Sequence, residues 1–146
     1  MTDSWSGRQA PSLDDIEALA VAALESLPQP FRDLCRDVTC YVQEFPEDST
    51  LDELGIESEF DLLGLFRGVG MIEEGMAPAT GRMPNSVWLY RRPILDYWCE
   101  HEETLGHVVT HVLVHELGHH FGYSDADMEA IEEAAVREAL TKPPAS

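Results

Sequence analysis

The sequence predicts an α+β fold, in which a small twisted mixed sheet of three or four strands packs against one long helix and further helices flank it at both ends. Two hydrophobic patterns predict this class. Apolar residues recur at helical spacing towards both ends of the chain, and short β-branched or aromatic segments lie between them. The chain has 146 residues, 44% of them hydrophobic, and this size suits one hydrophobic core rather than two.

The first helix is predicted over residues 13–27. Its apolar residues follow helical spacing, and Asp15 follows Ser12 at the spacing of a capping box, in which each side chain accepts a hydrogen bond from the other residue's backbone N–H. Pro28 and Pro30 end this helix because proline lacks the backbone N–H that a helix interior needs.

Three segments in the middle of the chain are predicted to be strands. Residues 38–45 are rich in β-branched and aromatic side chains, residues 60–69 form an apolar run with two glycines, and residues 86–92 alternate between two faces. The acidic residues 46–59 are expected to form a loop with one helical turn, and residues 70–85 carry several turn signals.

The C-terminal part of the chain is predicted to be helical. A short helix is expected over residues 93–99 and a long one over residues 102–121, where apolar residues keep helical spacing. Gly122 ends the long helix, since glycine adopts a left-handed conformation without strain. A last helix is expected over residues 124–140, because Asp127 follows Ser124 at capping-box spacing.

A single domain is expected over residues 12–140, with flexible tails at residues 1–11 and 141–146, which are polar or proline-bearing. No stretch approaches the ~18 apolar residues of a membrane span, and the N-terminus lacks the segments of a secretory signal. The three cysteines form no CxxC pair, which favours a reducing compartment. We therefore expect a cytoplasmic protein with no membrane partner.

Acidic residues dominate the charge of the chain. It carries 28 Asp and Glu against 9 Lys and Arg, which gives a formal net charge of −19. Because this charge repels a phosphate backbone and the arginines are scattered, nucleic-acid binding is not expected. Most of the acidic residues are interpreted as solvated surface, and the sequence leaves the oligomeric state open.

Residues 115–119 carry the most informative motif, His-Glu-Leu-Gly-His, within the long predicted helix. Four residues advance a helix by about 400°, so His115 and His119 project from nearly the same side and can reach one zinc ion. The Glu116 carboxylate cannot easily join both imidazoles as a ligand, but it can contact a water on the metal, where a general base is needed. The motif predicts two zinc ligands and a catalytic base.

The residues after the motif supply a candidate third ligand. A catalytic zinc takes three protein ligands and a water, so the chain must turn sharply to return a side chain to the two histidines. Gly122 permits that turn, and the carboxylate of Asp125, three residues further on, suits zinc. Asp125 also stands at the start of the last helix, where the helix dipole favours an acidic residue without any metal.

The extended pattern HExxHxxGxxD resembles the zincin metallopeptidases. The segment HELGHHFG followed by Asp is similar to the small bacterial zincin-like metallopeptidase family. The resemblance is strongest over residues 86–135, and the segment LLGLFRG at residues 62–68 also resembles that family.

This resemblance implies a zincin-like fold and zinc-dependent hydrolysis of a peptide or protein substrate. One Zn²⁺ ion would be held by His115, His119 and Asp125, as in the snapalysin-type variant of the metzincins, and Glu116 would be the catalytic base. The strand over residues 86–92 would lie at the sheet edge above the metal and bind an extended substrate.

The chain departs from the metzincins in one respect. Their metal lies above a methionine turn, which is formed by chain well beyond the third ligand. Here the only methionine after Asp125 is Met128, which is too close to form that turn. The floor of the metal site is therefore expected to be built differently.

Alternatives stay open for the third ligand, for the role of the other histidines and for the function. The competing third ligands are acidic residues on the last helix, whose polar face would carry them without a metal: Glu129, Glu132 and Glu133. The remaining candidate histidines are interpreted as pocket lining or as donors to the ligands: His107, His111 and His120. Instead of a general peptidase, the protein would be a catalytically silent zinc-binding interaction module or a regulatory protease dedicated to one partner protein. An intact Glu116 argues against the silent module, because a structural zinc site needs no base.

Overall fold

The computed structural model describes residues 5–68 and 85–141, with side chains as far as residue 138. Within these residues it contains six α-helices and a three-stranded mixed sheet, which confirms the predicted α+β class. The helices are α1 (Leu13–Glu25), α2 (Phe31–Leu34), α3 (Asp48–Leu54), α4 (Arg91–Glu100), α5 (Leu105–His120) and α6 (Asp125–Thr141). The strands are β1 (Thr39–Gln43), β2 (Gly64–Arg67) and β3 (Ser86–Tyr90).

The capping box predicted for α1 is present. The Ser12 hydroxyl accepts from the Asp15 N–H at 3.1 Å, and the Asp15 carboxylate accepts from the Ser12 N–H at 2.8 Å. The helix then buries Ile16, Ala20 and Ala23 and packs against α5. Its start is therefore fixed by local hydrogen bonds, and its orientation is fixed by the core.

The sheet has the strand order β1-β3-β2, with β1 parallel and β2 antiparallel to β3. The prediction that residues 86–92 form an edge strand is wrong, because β3 is the central strand. Pro93 does not restrict β3, since the strand ends at Tyr90 and Pro93 lies in the first turn of α4, where a backbone N–H is not needed. Among the described strands, β2 is the edge that packs against α5.

The boundaries of two segments differ from those predicted. The expected loop at residues 46–59 contains the two-turn helix α3, which ends at Gly55 with a left-handed φ of 70°. The apolar run that begins at Phe60 is a strand only over β2, because Ser58 accepts from the Phe60 N–H and starts a 3-10 turn at Glu59–Asp61. Most of the predicted turn segment, residues 70–84, lies outside the described residues.

Helix α5 lies at the centre of the fold. It contacts α1, α4, α6, β2 and β3. Its fully buried side chains include Val109, Leu113 and Leu117, which share the core with Val87 and Leu89 of β3. Each such side chain stabilises the fold by about 1.5–3 kcal/mol through burial. The helix that carries the motif is therefore held rigidly from several sides.

Of the helices in the described part of the chain, none is long and apolar enough to cross a membrane. The predicted domain limits, residues 12–140 with tails at 1–11 and 141–146, stay a prediction.

Candidate metal centre

Three histidines lie along one side of α5, one helical turn apart: His111, His115 and His119, called here the histidine stripe. The ring centroids of His111 and His115 are 4.1 Å apart, and those of His115 and His119 are 5.9 Å apart. His119 is exposed, whereas the other two are partly buried. The shared face predicted for His115 and His119 is present, and His111 extends it by one turn.

The end of α5 has the hydrogen bonds of a Schellman motif. The Tyr123 N–H donates to the Gly118 carbonyl at 2.9 Å, and the Gly122 N–H donates to the His119 carbonyl at 3.2 Å. Gly122 has a φ of 80°, as the sequence predicted, and any other L-residue would be strained by about 1–2 kcal/mol there. The chain turns within four residues and starts α6 at Asp125.

Helix α6 packs directly on the motif. Gly118 leaves room for Met128, since a Cβ added at Gly118 would lie 2.3 Å from the Met128 sulfur. Met128 is fully buried, and it lies in α6 rather than in a methionine turn. This contact fixes the distance between α5 and α6 beside the histidine stripe.

The Glu116 carboxylate faces the edge strand. Its Oε1 accepts a hydrogen bond from the Phe66 N–H of β2 at 3.2 Å. Burial raises the pKa of Glu116, and the Phe66 hydrogen bond and the charge of His119 oppose this rise. The carboxylate is therefore held between α5 and β2, and the raised pKa makes it a stronger base than an exposed glutamate.

The outer edge of β2 turns its backbone groups towards this carboxylate. In an antiparallel pair, alternate residues of an edge strand point their N–H and C=O away from the partner strand. The Phe66 N–H points outwards to Glu116, so Gly64, two residues earlier, has the same orientation. A Cβ on Gly64 would lie 2.6 Å from Val112 Cγ1, so the glycine lets β2 approach α5 closely.

Glu132 of α6 joins two residues of the histidine stripe. Its Oε1 lies 2.7 Å from His111 Nδ1, and its Oε2 lies 3.3 Å from His115 Nε2. One ligand atom from each of the three residues lies within 4.8 Å of the others, so the group could hold a metal ion. Imidazole and carboxylate are ligands that zinc takes in proteins, so these donors fit it.

The two histidines of this group are affected differently by their surroundings. The hydrogen bond to Glu132 raises the pKa of His111. Burial, helped by the neighbouring His111, lowers the pKa of His115. A lowered pKa favours the neutral imidazole, which is the form that binds a metal.

His119 and Asp125 are both exposed. In the described part of the chain, the group formed by His111, His115 and Glu132 is the one metal-ligand cluster of at least three residues at that spacing. The structure thus brings His115 and His119 to one side of α5 but does not bring Asp125 into a cluster with them. The sequence assignment of His115, His119 and Asp125 as ligands and of Glu116 as base stays a prediction.

Glu132 is one of the three competing third ligands on α6. The expectation that Glu129, Glu132 and Glu133 lie on a polar face is wrong for Glu132: this residue is only 7% exposed, whereas the other two are exposed. The spacing of Glu132 in the sequence indicates its burial, since it lies on the apolar stripe of α6 formed by Met128, Ile131 and Ala135. An acidic residue on an apolar stripe needs a partner for its charge, and the partly buried His111 is one.

The other two histidines have separate contacts. His107 pairs with Glu103 at 2.9 Å near the start of α5. His120 stacks on Phe66 with a centroid distance of 4.0 Å, beside the edge strand. His120 thus lies beside the edge strand β2, whose Phe66 bonds Glu116, whereas the contact of His107 lies at the other end of α5.

A small α+β domain that places candidate metal ligands on its central helix, next to an edge strand, has the arrangement of a zincin. The sequence profile of the zincin-like metallopeptidase family matches residues 35–135, and the chain belongs to this family. The match confirms the resemblance that the HExxH segment indicated, and family membership implies a zinc ion. No curated protein matches the chain.

Proposed function

We propose that the protein is a zinc-dependent metallopeptidase that hydrolyses peptide bonds. The observation that carries the proposal is the Glu116 carboxylate of the HExxH motif, which accepts a hydrogen bond from the edge strand through the Phe66 N–H and is close enough to His119 for their charges to interact. A structural zinc site needs no such carboxylate beside it. Membership in the zincin-like metallopeptidase family supports the same activity.

In this proposal, His115, His119 and Asp125 hold one zinc ion. The two histidines share one side of α5, and the turn at Gly122 starts α6 with Asp125 near enough for its charge to act on His115. His119 and Asp125 are exposed, so their side chains can rotate towards an ion without displacing the core.

A bound zinc ion supplies Lewis acidity, which activates a water molecule for attack and polarises the scissile carbonyl. The Glu116 carboxylate accepts the proton of the attacking water, and the same oxygen then donates it to the leaving amine. The Phe66 N–H orients the carboxylate for both steps, since it fixes one of the two oxygens.

The substrate is a peptide or protein segment in extended conformation, which adds to the outer edge of β2. The outward N–H and C=O of Gly64 and the outward C=O of Phe66 supply the hydrogen bonds of such a pairing, while the Phe66 N–H stays bonded to Glu116. Because the chain carries a formal net charge of −19, basic or unstructured peptides are favoured, and added salt weakens this preference.

The test is a peptide-library digest with metal analysis of the wild type and of Glu116→Gln. We expect both proteins to bind one zinc ion, and the variant to cleave about 10²–10⁴-fold more slowly because it lacks the general base. Glu133→Gln is the matched control, since Glu133 is an exposed glutamate of α6 that lies near His107 at the other end of α5, and it should cleave like the wild type.

Stoichiometric zinc without cleavage by either the wild type or Glu116→Gln would overturn the proposal and favour a zinc-binding interaction module. Cleavage of one protein, with none in the library, would instead indicate a protease dedicated to that partner. A general peptidase and a dedicated protease would use the same site, so Glu116→Gln must lose cleavage in either case.

A further inference from the structure

We propose that His111, His115 and Glu132 form a second metal position, one helical turn from the position that uses His119. It takes a divalent transition-metal ion such as zinc. The two positions overlap because both need His115. This inference rests on the side-chain cluster and is independent of peptidase activity.

The distances within the cluster are close to those of a zinc site. Four ligands at zinc distances in a tetrahedron are separated from one another by about 3.4 Å. The His115 Nε2 to Glu132 Oε2 distance of 3.3 Å already matches, and the His111 Nδ1 to Glu132 Oε1 distance of 2.7 Å is that of a hydrogen bond. An ion therefore needs only small side-chain shifts to replace the direct contacts.

The burial of Glu132 gives the cluster a reason to take a cation. Its side chain is only 10% exposed, and a buried carboxylate is costly unless its charge is compensated. In the described part of the chain, its ion-pair partners are these two imidazoles. Each imidazole reaches the carboxylate through one ring nitrogen, whereas a divalent cation takes lone pairs from all three groups and compensates the carboxylate charge.

The cluster is also built on rigid elements. Glu132 lies between Met128 and Ala135 on the buried face of α6, and Met128 packs on Gly118 of α5. The Glu132 donor is thus held in place before an ion arrives, and preorganised donors bind more tightly than donors that must be ordered on binding. His119 and Asp125, the exposed donors at the other end of the stripe, are not held by core packing in this way.

The overlap has a consequence for occupancy. The His115 Nε2 atom faces Glu132, and a single nitrogen lone pair binds one ion. An ion at the second position therefore removes His115 from the set that includes His119. The chain binds one ion through Nε2 of His115, either next to Glu116 or next to Glu132.

The test measures Co²⁺ binding alone, by calorimetry and by visible absorption, in variants that disable one position at a time. His119→Ala removes a donor of the first position and leaves the second intact, so we expect it to bind one Co²⁺ per chain. Adding Glu132→Gln, which keeps the shape but removes the charge, should weaken this binding by at least about tenfold. Adding Glu133→Gln to His119→Ala is the matched control and should change nothing.

Failure of His119→Ala to bind Co²⁺, while the wild type binds it, would overturn the inference. Equal affinities of His119→Ala and His119→Ala/Glu132→Gln would overturn it as well. If Glu132→Gln unfolds the protein, His111→Asn replaces it, because His111 is partly exposed and its loss disturbs the core less. A wild type that cleaves no peptide would refute the proposed activity but not this inference, because the readout is metal binding.

Discussion

The two ends of the histidine stripe differ in how their partners are held. At the end nearer the start of α5, His111 and His115 contact the Glu132 carboxylate, which the core buries. At the other end, His119 and Asp125 are exposed, although the sequence motif singles them out. The histidine stripe thus has a buried carboxylate as partner at one end and an exposed carboxylate as candidate partner at the other.

This difference follows from where the carboxylates lie on α6. Glu132 is on the apolar stripe with Met128 and Ala135, so the packing that forms the core also fixes its side chain. Asp125 is the first residue of the helix, where solvent surrounds it. A catalytic metal needs an open position for water, and the exposed end of the stripe leaves room for one.

The largest effect is expected from His115→Ala, because His115 is shared by both ends. Loss of a residue that only supports a metal ligand typically lowers metal affinity about 10–100-fold. We expect a larger fall here, because His115 is itself a ligand. Peptide cleavage should be lost with it. His107→Ala is the control, since His107 pairs with Glu103 near the start of the helix. A His115→Ala variant with wild-type zinc affinity would refute both metal positions.

A smaller effect is expected from Asp125→Ala, and it must be measured in a Glu132→Gln background so that the second position cannot retain the ion. We expect zinc affinity to fall by at least about tenfold relative to that background. Asp127→Ala in the same background is the matched control, because both residues are exposed acids in the first turn of α6. Unchanged affinity after Asp125→Ala would exclude this residue as a ligand.

The smallest effect on the metal site itself is expected from changes at the contact between Gly118 of α5 and Met128 of α6, which act on the stability of the fold. Gly118→Ala should destabilise the fold by about 1–3 kcal/mol, because the added Cβ would lie 2.3 Å from the Met128 sulfur. Gly106→Ala, in the first turn of the same helix, meets its nearest neighbour at 3.9 Å and should be neutral or slightly stabilising.

Urea unfolding of the two glycine variants measures this difference directly. Equal stabilities would show that Met128 moves aside without cost and that its contact with Gly118 does not fix the distance between α5 and α6. Zinc affinity of Gly118→Ala then tells whether that distance matters for the cluster at Glu132.

Local patterns in the sequence were sufficient for several features of the site. The capping box of Ser12 and Asp15 is present, Gly122 has the left-handed φ that the turn requires, and His115 and His119 share one side of α5. Each of these features depends on residues within a few positions of one another. The backbone geometry of a helix or a turn therefore determines them without reference to the rest of the fold.

Non-local features were predicted less well. The edge position that the resemblance implied for residues 86–92 is wrong, because β3 pairs with a strand on each side. The expectation that Glu132 faces solvent is wrong because its environment depends on how α6 packs on α5. Its partner His111 lies 21 residues away in the sequence. The spacing of Glu132 within α6 indicates that it is buried, but it does not indicate its partner, which lies on α5.

The sequence by itself determined the family, the helix that carries the motif and the turn that follows it, since short-range backbone geometry and residue type specify them. Only the tertiary structure decided which carboxylate meets the histidines, which strand lies beside Glu116 and which donors are buried. The physical reason is that burial depends on packing between elements distant in sequence. That packing places Glu132 beside His115 and leaves Asp125 in solvent.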